Sequence, residues 1–188
     1  HVGSADEVAG RSGFAHLFEH LMFQGSSQVP SGEHLSALQA VGGSVNATTS
    51  FDRTNYFETL PAGAAELALW MEADRLTTLD VSQANLDNQR EVVKEEKRQR
   101  YDNVPYGDQL DLLLALNFPS DHPYGHTTIG SMDDLDAASL DDVRDFFATW
   151  YRGSNLVLTL AGAVDEQTAL DMAQRQFGGL PRLDAPAR

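Results

Sequence analysis

Cysteine is absent from this chain. Disulfides and thiolate metal sites are therefore excluded, and any zinc would have to use nitrogen and oxygen ligands. The lack of cysteine suits the cytoplasm and the bacterial envelope equally. Long apolar runs are also missing, so no stretch reads as a membrane span, and no signal peptide is present. Basic residues are scarce: 13 Lys and Arg stand against 28 Asp and Glu, for a net charge of −15 and a pI of about 4.5. That balance argues against nucleic acid and anionic membrane surfaces as main partners, and reads as solubility. A start methionine is lacking too. The opening His1-Val2-Gly3-Ser4 reads as a cut from a longer precursor, so a leader removed upstream stays open, as does the choice between cell envelope and cytoplasm.

What is present suffices for one domain with a sizeable core. The chain has 188 residues, 41% of them hydrophobic and 22% charged, ordinary values for a globular protein. Its organising stretch is Gly13-Phe14-Ala15-His16-Leu17-Phe18-Glu19-His20-Leu21-Met22-Phe23. At helical spacing His16 and His20 fall on one face, with Glu19 beside them. Phe14, Leu17, Phe18, Leu21 and Met22 fill the other sides, which describes a buried helix. Burying three ionisable groups on the remaining face is costly unless a charge sits there. A divalent metal held by two neutral imidazoles meets that demand and leaves Glu19 free to act on water.

Along the chain, Pro30 to Val41 predicts a second helix, stopped by Gly42-Gly43. Residues 44–49 and 52–60 alternate and are rich in Thr, Val, Tyr and Phe, predicting an antiparallel strand pair. Further helices are predicted over 64–77, 82–102, 105–117, 140–151 and 165–177, several with Ser or Asp caps. Residues 155–161 (Asn-Leu-Val-Leu-Thr-Leu-Ala) predict a buried strand. The expected fold class is α+β, an antiparallel or mixed sheet layered with helices, with a domain over 1–180 and a linker over 181–188.

Catalytic zinc needs three protein ligands and an open position, so the two histidines require a third partner. The helix over 82–102 offers Glu91, Glu95 and Glu96. With Leu86 at 0° on a helical wheel, Val93 falls at about −20°, Gln89 at about −60° and Glu96 at about −80°. Glu91 and Glu95 fall at about 140° and about 180°, on the solvent side. Phase thus selects Glu96 as third ligand, for one Zn²⁺ per chain. Gln89, on the same face, is a candidate to orient a ligand or the water.

His16-Leu-Phe-Glu19-His20 has the inverted zinc motif, His-x-x-Glu-His, of the inverzincins. The stretch from Gly13 to Gly25 resembles the signature of the pitrilysin, insulinase and mitochondrial processing peptidase family of zinc metalloendopeptidases. The resemblance extends through Gly42 to Thr49, Thr54-Asn55-Tyr56, Leu60-Pro61-Ala62, Asn88 to Glu96, His122 to Gly125 and Tyr151 to Leu156, in the family's order. It implies that His16, His20 and Glu96 hold zinc and that Glu19 is the general base. It also implies that Asn46, Ala47 and Thr48 lie on an edge strand that pairs with an extended peptide substrate, by backbone bonds that tolerate varied side chains. Many members have glutamate where this chain has Gln89. The family's substrate-anchoring Arg and oxyanion-stabilising Tyr belong to a second homologous domain, in the same polypeptide or in a partner subunit. The isolated domain is therefore expected to bind zinc and cleave little.

His1, His34, His122 and His126 read as surface or loop histidines, because none has a partner at i+4 on an apolar helical face. Arg53 and Arg90 could meet a substrate carboxylate, with salt bridges as the default. Trp70, Trp150, Phe146 and Phe147 read as core. Two other functions stay open at this point: a non-catalytic scaffold partnering an active homologue, and a histidine-rich core without metal. Metal stoichiometry and the effect of chelators on stability discriminate them.

Overall fold

The computed structural model describes residues 1–187. Its elements run α1 (Phe14–Leu21), α2 (Glu33–Ala40), β1 (Ser44–Thr49), β2 (Thr54–Thr59), α3 (Ala65–Thr78), α4 (Gln83–Lys97), α5 (Gln109–Asn117), α6 (Met132–Ala137), α7 (Leu140–Trp150) and α8 (Glu166–Phe177). The class is α+β, with helices around one antiparallel hairpin in which Ser44 faces Thr59 and Thr49 faces Thr54. Among the described residues no helix is long and apolar enough to cross a membrane.

Two cores hold the layers. The larger joins α1 (Phe14, Leu17, Phe18, Leu21) to α4 (Leu86, Val93), Ile129, α6 and α7. Phe146 and Phe147 stack on Phe18 with ring centroids 4.9 and 6.1 Å apart, as the sequence led us to expect of core aromatics. The smaller gathers Val29, Leu38, Ala68 and Met71, so that α2 and α3 pack together beside the hairpin, with Val45 and Leu60 against them. α1 is thus wedged between helices on its apolar sides and the hairpin on its polar side.

Four departures from expectation have local causes. Residues 156–161 form no strand, and Leu156, Val157 and Leu158 are exposed. A short apolar run becomes a strand only where a neighbouring edge supplies ladder bonds. Here the segment faces β2 across a groove of about 660 Å³ instead of pairing with it. The only sheet among the described residues is therefore the hairpin, with no mixed pairing. The long charged helix ends as expected near Asp102, but its last turn, Arg98–Asp102, is a π turn closed by Asn103 N–H donating to Arg98 O at 2.9 Å. The next helix begins at Gln109, not Pro105, because Tyr106 sits at φ +62° in a turn in which Gly107 N–H donates to Val104 O. The short helix α6 was not expected. Ser131 caps it by accepting from Asp133 and Asp134 N–H. Residues 181–187 have no regular secondary structure, and Asp184 O accepts hydrogen bonds from Arg152 and Ser154.

Candidate metal centre

α1 is positioned before any metal is considered. Its first residue follows Gly13, whose φ of +90° suits a residue without a side chain. A Cβ there would lie 2.8 Å from Ile129 O, while one on the facing Gly130 would lie 2.4 Å from Gly13 N. Two glycines thus let the 12–13 and 129–130 backbones pass in contact. The unpaired N–H groups of the helix start are met by Glu7, which accepts from Gly13 N at 2.9 Å and Ala15 N at 2.7 Å. Burial pushes the Glu7 carboxyl up to about 8, against the pull of those two donors toward the carboxylate. Ser12 is tied by its N–H and Oγ to Asp134 Oδ2 at 2.9 and 2.6 Å.

On this fixed helix His16 and His20 point the same way, their rings 4.8 Å apart and nearly perpendicular. α4 crosses α1 in the larger core and brings up Glu96 from its last turn. Glu96 Oε2 lies 3.3 Å from His20 Nε2 and 3.7 Å from His16 Nε2. All three ligand atoms fall within 4.8 Å of one another. Tetrahedral zinc with bonds of about 2.0–2.1 Å sets its ligands about 3.4 Å apart, so both distances fit a common ion. Glu96 Oε1 accepts from Arg100 at 2.8 Å, so Oε2 is the oxygen turned toward the two imidazoles. Glu91 and Glu95 are exposed, as their helical phase requires.

The electrostatics suit a divalent ion. Burial, with the neighbouring His20 charge, holds the His16 imidazole down at about 4, so it is neutral and can give a lone pair near pH 7. The His20 hydrogen bond keeps the Glu96 carboxyl below the usual range against the cost of burial. The Glu19 carboxyl is raised by burial and restrained by a hydrogen bond from Thr49 Oγ1. With the Glu96 and Glu19 carboxyls beside the imidazoles, the donor set suits the charge of Zn²⁺.

The other expected site residues divide. Gln89 is buried on the same face as Leu86 and Val93, but among the described residues it makes no hydrogen bond to His16, His20 or Glu96. Asn46 and Thr48 are exposed on β1 and Ala47 is buried; β1 pairs only with β2, so its other edge is unpaired among the described residues. Arg90 is taken up by Asp87 and by the carbonyls of Leu135 and Ala138, and Arg53 by Thr48 Oγ1. Two further residues meet the site without a signal in the sequence: Thr49, one residue past 46–48, and Glu7, whose local sequence carries no capping signal for a helix seven residues away. Arg75 is a third: it is 1% exposed, donates to Met22 O just past α1 and lies 4.9 and 4.6 Å from the rings of Phe23 and Tyr56. His34 is 3% exposed, not a surface histidine, because α2 turns it toward β2 and α3.

Comparison with known proteins places this geometry in a family. The family model described as insulinase (Peptidase family M16) matches residues 1–130, and the model of the Peptidase M16 inactive domain matches residues 137–188. Zinc protease PqqE of Helicobacter pylori is 34% identical over 99% of this chain and 42% of its own length. The mitochondrial-processing peptidase subunit beta of Saccharomyces cerevisiae is 28% identical over 98% of this chain and 40% of its own. The crystal structure of a protease from Helicobacter pylori superposes with a TM-score of 0.91 at 33% identity, covering 99% of this chain and 45% of that one. The chain thus spans under half the length of these relatives, of which PqqE is named a zinc protease. With its His-x-x-Glu-His helix and a glutamate brought up from α4, the chain belongs to the insulinase family, peptidase family M16.

Proposed function

We propose that this chain is the zinc-bearing domain of a metalloendopeptidase that hydrolyses extended peptides, with His16, His20 and Glu96 as ligands and Glu19 as general base. One observation carries the reading: two imidazole nitrogens and a carboxylate oxygen, the last 76 positions beyond His20 in sequence, converge within 4.8 Å beside a raised carboxyl. When bound, zinc would supply Lewis acidity, polarising a peptide carbonyl and making water acidic enough to attack at neutral pH. The chain's own residues do the rest. Glu19 takes the proton from the attacking water and returns it to the departing amine, at a basicity that burial raises and Thr49 tempers. The unpaired edge of β1 offers backbone N–H and C=O groups to an extended substrate, with Asn46 and Thr48 beside it. The matches to relatives more than twice as long support a second domain that completes the substrate chamber.

Glu19→Gln in the complete polypeptide should keep one zinc at this centre and lose turnover by at least about 10²-fold. Undiminished hydrolysis would remove Glu19 from its role. A wild-type protein without zinc at His16 and His20 would favour a scaffold instead.

A further inference from the structure

Away from α1, three other elements bring ligating groups together. His34 comes from α2, Glu58 from β2 and Glu72 from α3, and one ligand atom of each lies within 4.8 Å of the others. His34 Nε2 is 3.3 Å from Glu72 Oε1. His34 Nε2 and Glu58 Oε1 are both buried, and among the described residues neither has a hydrogen-bond partner. Buried polar atoms of this kind call for an explanation, because each forgoes its bonds to water. Two of them aimed into one cluster call for a shared one.

The charge count sharpens the problem. Glu58 and Glu72 carry two negative charges when ionised, and Arg75 supplies one positive charge. Arg75 donates to both Glu72 oxygens and lies 4.0 Å from Glu58 Oε1. One negative charge is left over in a largely buried setting. A proton on Glu58 would cancel it but would do nothing for the lone pair of His34 Nε2. A divalent cation would engage His34 Nε2, Glu58 Oε1 and Glu72 Oε1 together. One imidazole nitrogen with two carboxylate oxygens is a donor set that zinc accepts. Arg75 then acts as the hydrogen-bond donor that steadies a ligating carboxylate. An ion also has a way in, since Glu58 and Glu72 line the open groove beside β2.

We infer that His34, Glu58 and Glu72 form a second divalent-cation site, of zinc type, that fastens α2, β2 and α3 to one another. The site is independent of the centre on α1 and α4, and so is its test. In the complete polypeptide, His16→Ala with His20→Ala removes two ligands of the first centre. After stripping with a chelator, this protein is titrated with Zn²⁺, and with Co²⁺ for its visible absorption bands. One equivalent should bind per chain and give the cobalt bands. Adding Glu58→Gln, which keeps the side-chain shape, should weaken that equivalent at least about 100-fold. His34→Gln should do the same, and it carries the test if Glu58→Gln fails to fold. No equivalent bound in the His16→Ala, His20→Ala protein would overturn the site. So would binding of undiminished affinity in both added variants. Neither result bears on Glu19, whose test leaves every ligand in place.

Discussion

Glu19 sits between two opposed influences. Burial raises its carboxyl, and the hydrogen bond from Thr49 Oγ1 draws it back down. That bond also fixes which way the carboxylate faces. Thr49→Val keeps the β-branched shape and deletes the donor. Glu19 must be ionised to take a proton, so a higher carboxyl pKa moves the acid limb of the pH–rate profile to higher pH. We expect that shift, with turnover of the complete enzyme lower by about tenfold and zinc content unchanged. A profile that stays in place would mean that Thr49 only packs against Glu19. At this scale the sequence was legible where phase decides. Glu96 shares a face with Leu86 and Val93, whereas Glu91 and Glu95 do not, and the structure keeps that division. It was illegible where partners are distant: the neighbours of His34 lie 24 and 38 positions away, on β2 and α3.

Among the elements, α1 depends most on its surroundings. It has only eight residues, too short to hold its shape alone, and its first N–H groups are met by Glu7 from the preceding loop. Glu7→Ala leaves the N–H groups of Gly13 and Ala15 without their partner, which we expect to cost on the order of 2 kcal/mol in urea unfolding. Zinc affinity should fall as well, because His16 directly follows Ala15. A variant as stable as wild type would show that water or a neighbouring group takes over the cap. The other end of α1 is held through Arg75, which links Met22 O to the acidic pair Glu58 and Glu72. Arg75→Ala strips the counter-charge from that pair, and we expect a loss of about 3–5 kcal/mol by the same measurement. Helices with full apolar stripes and the alternating hairpin could be read from sequence because period alone specifies them. Residues 155–161 misled because a short apolar run announces burial without announcing a ladder. The six-residue α6 is too short for a period, and only its Ser131 cap and acidic first turn marked it.

For the whole molecule, buried acids set how stability responds to pH. Burial raises Glu7 and Glu58 from 4.5 to about 8 in the folded protein. Between those values the folded state holds more protons than the unfolded one, so stability falls as pH rises. His16 works in the opposite sense, but only below its unfolded value of 6.5, since its folded value is about 4. Glu72, held near 2 chiefly by Arg75 against the cost of burial, withholds its contribution only in acid. The window from about 6.5 to 8 therefore lies above the His16 transition and inside that of the two carboxyls raised to about 8. In chelator-treated protein we expect unfolding free energy to decline across that window, by up to about 1.4 kcal/mol per pH unit for each proton released. Glu7→Gln and Glu58→Gln together should flatten the slope, because neither amide titrates. An equally steep decline in that double variant would assign the proton release to other groups and leave Glu7 a carboxylate throughout, as its two backbone donors favour.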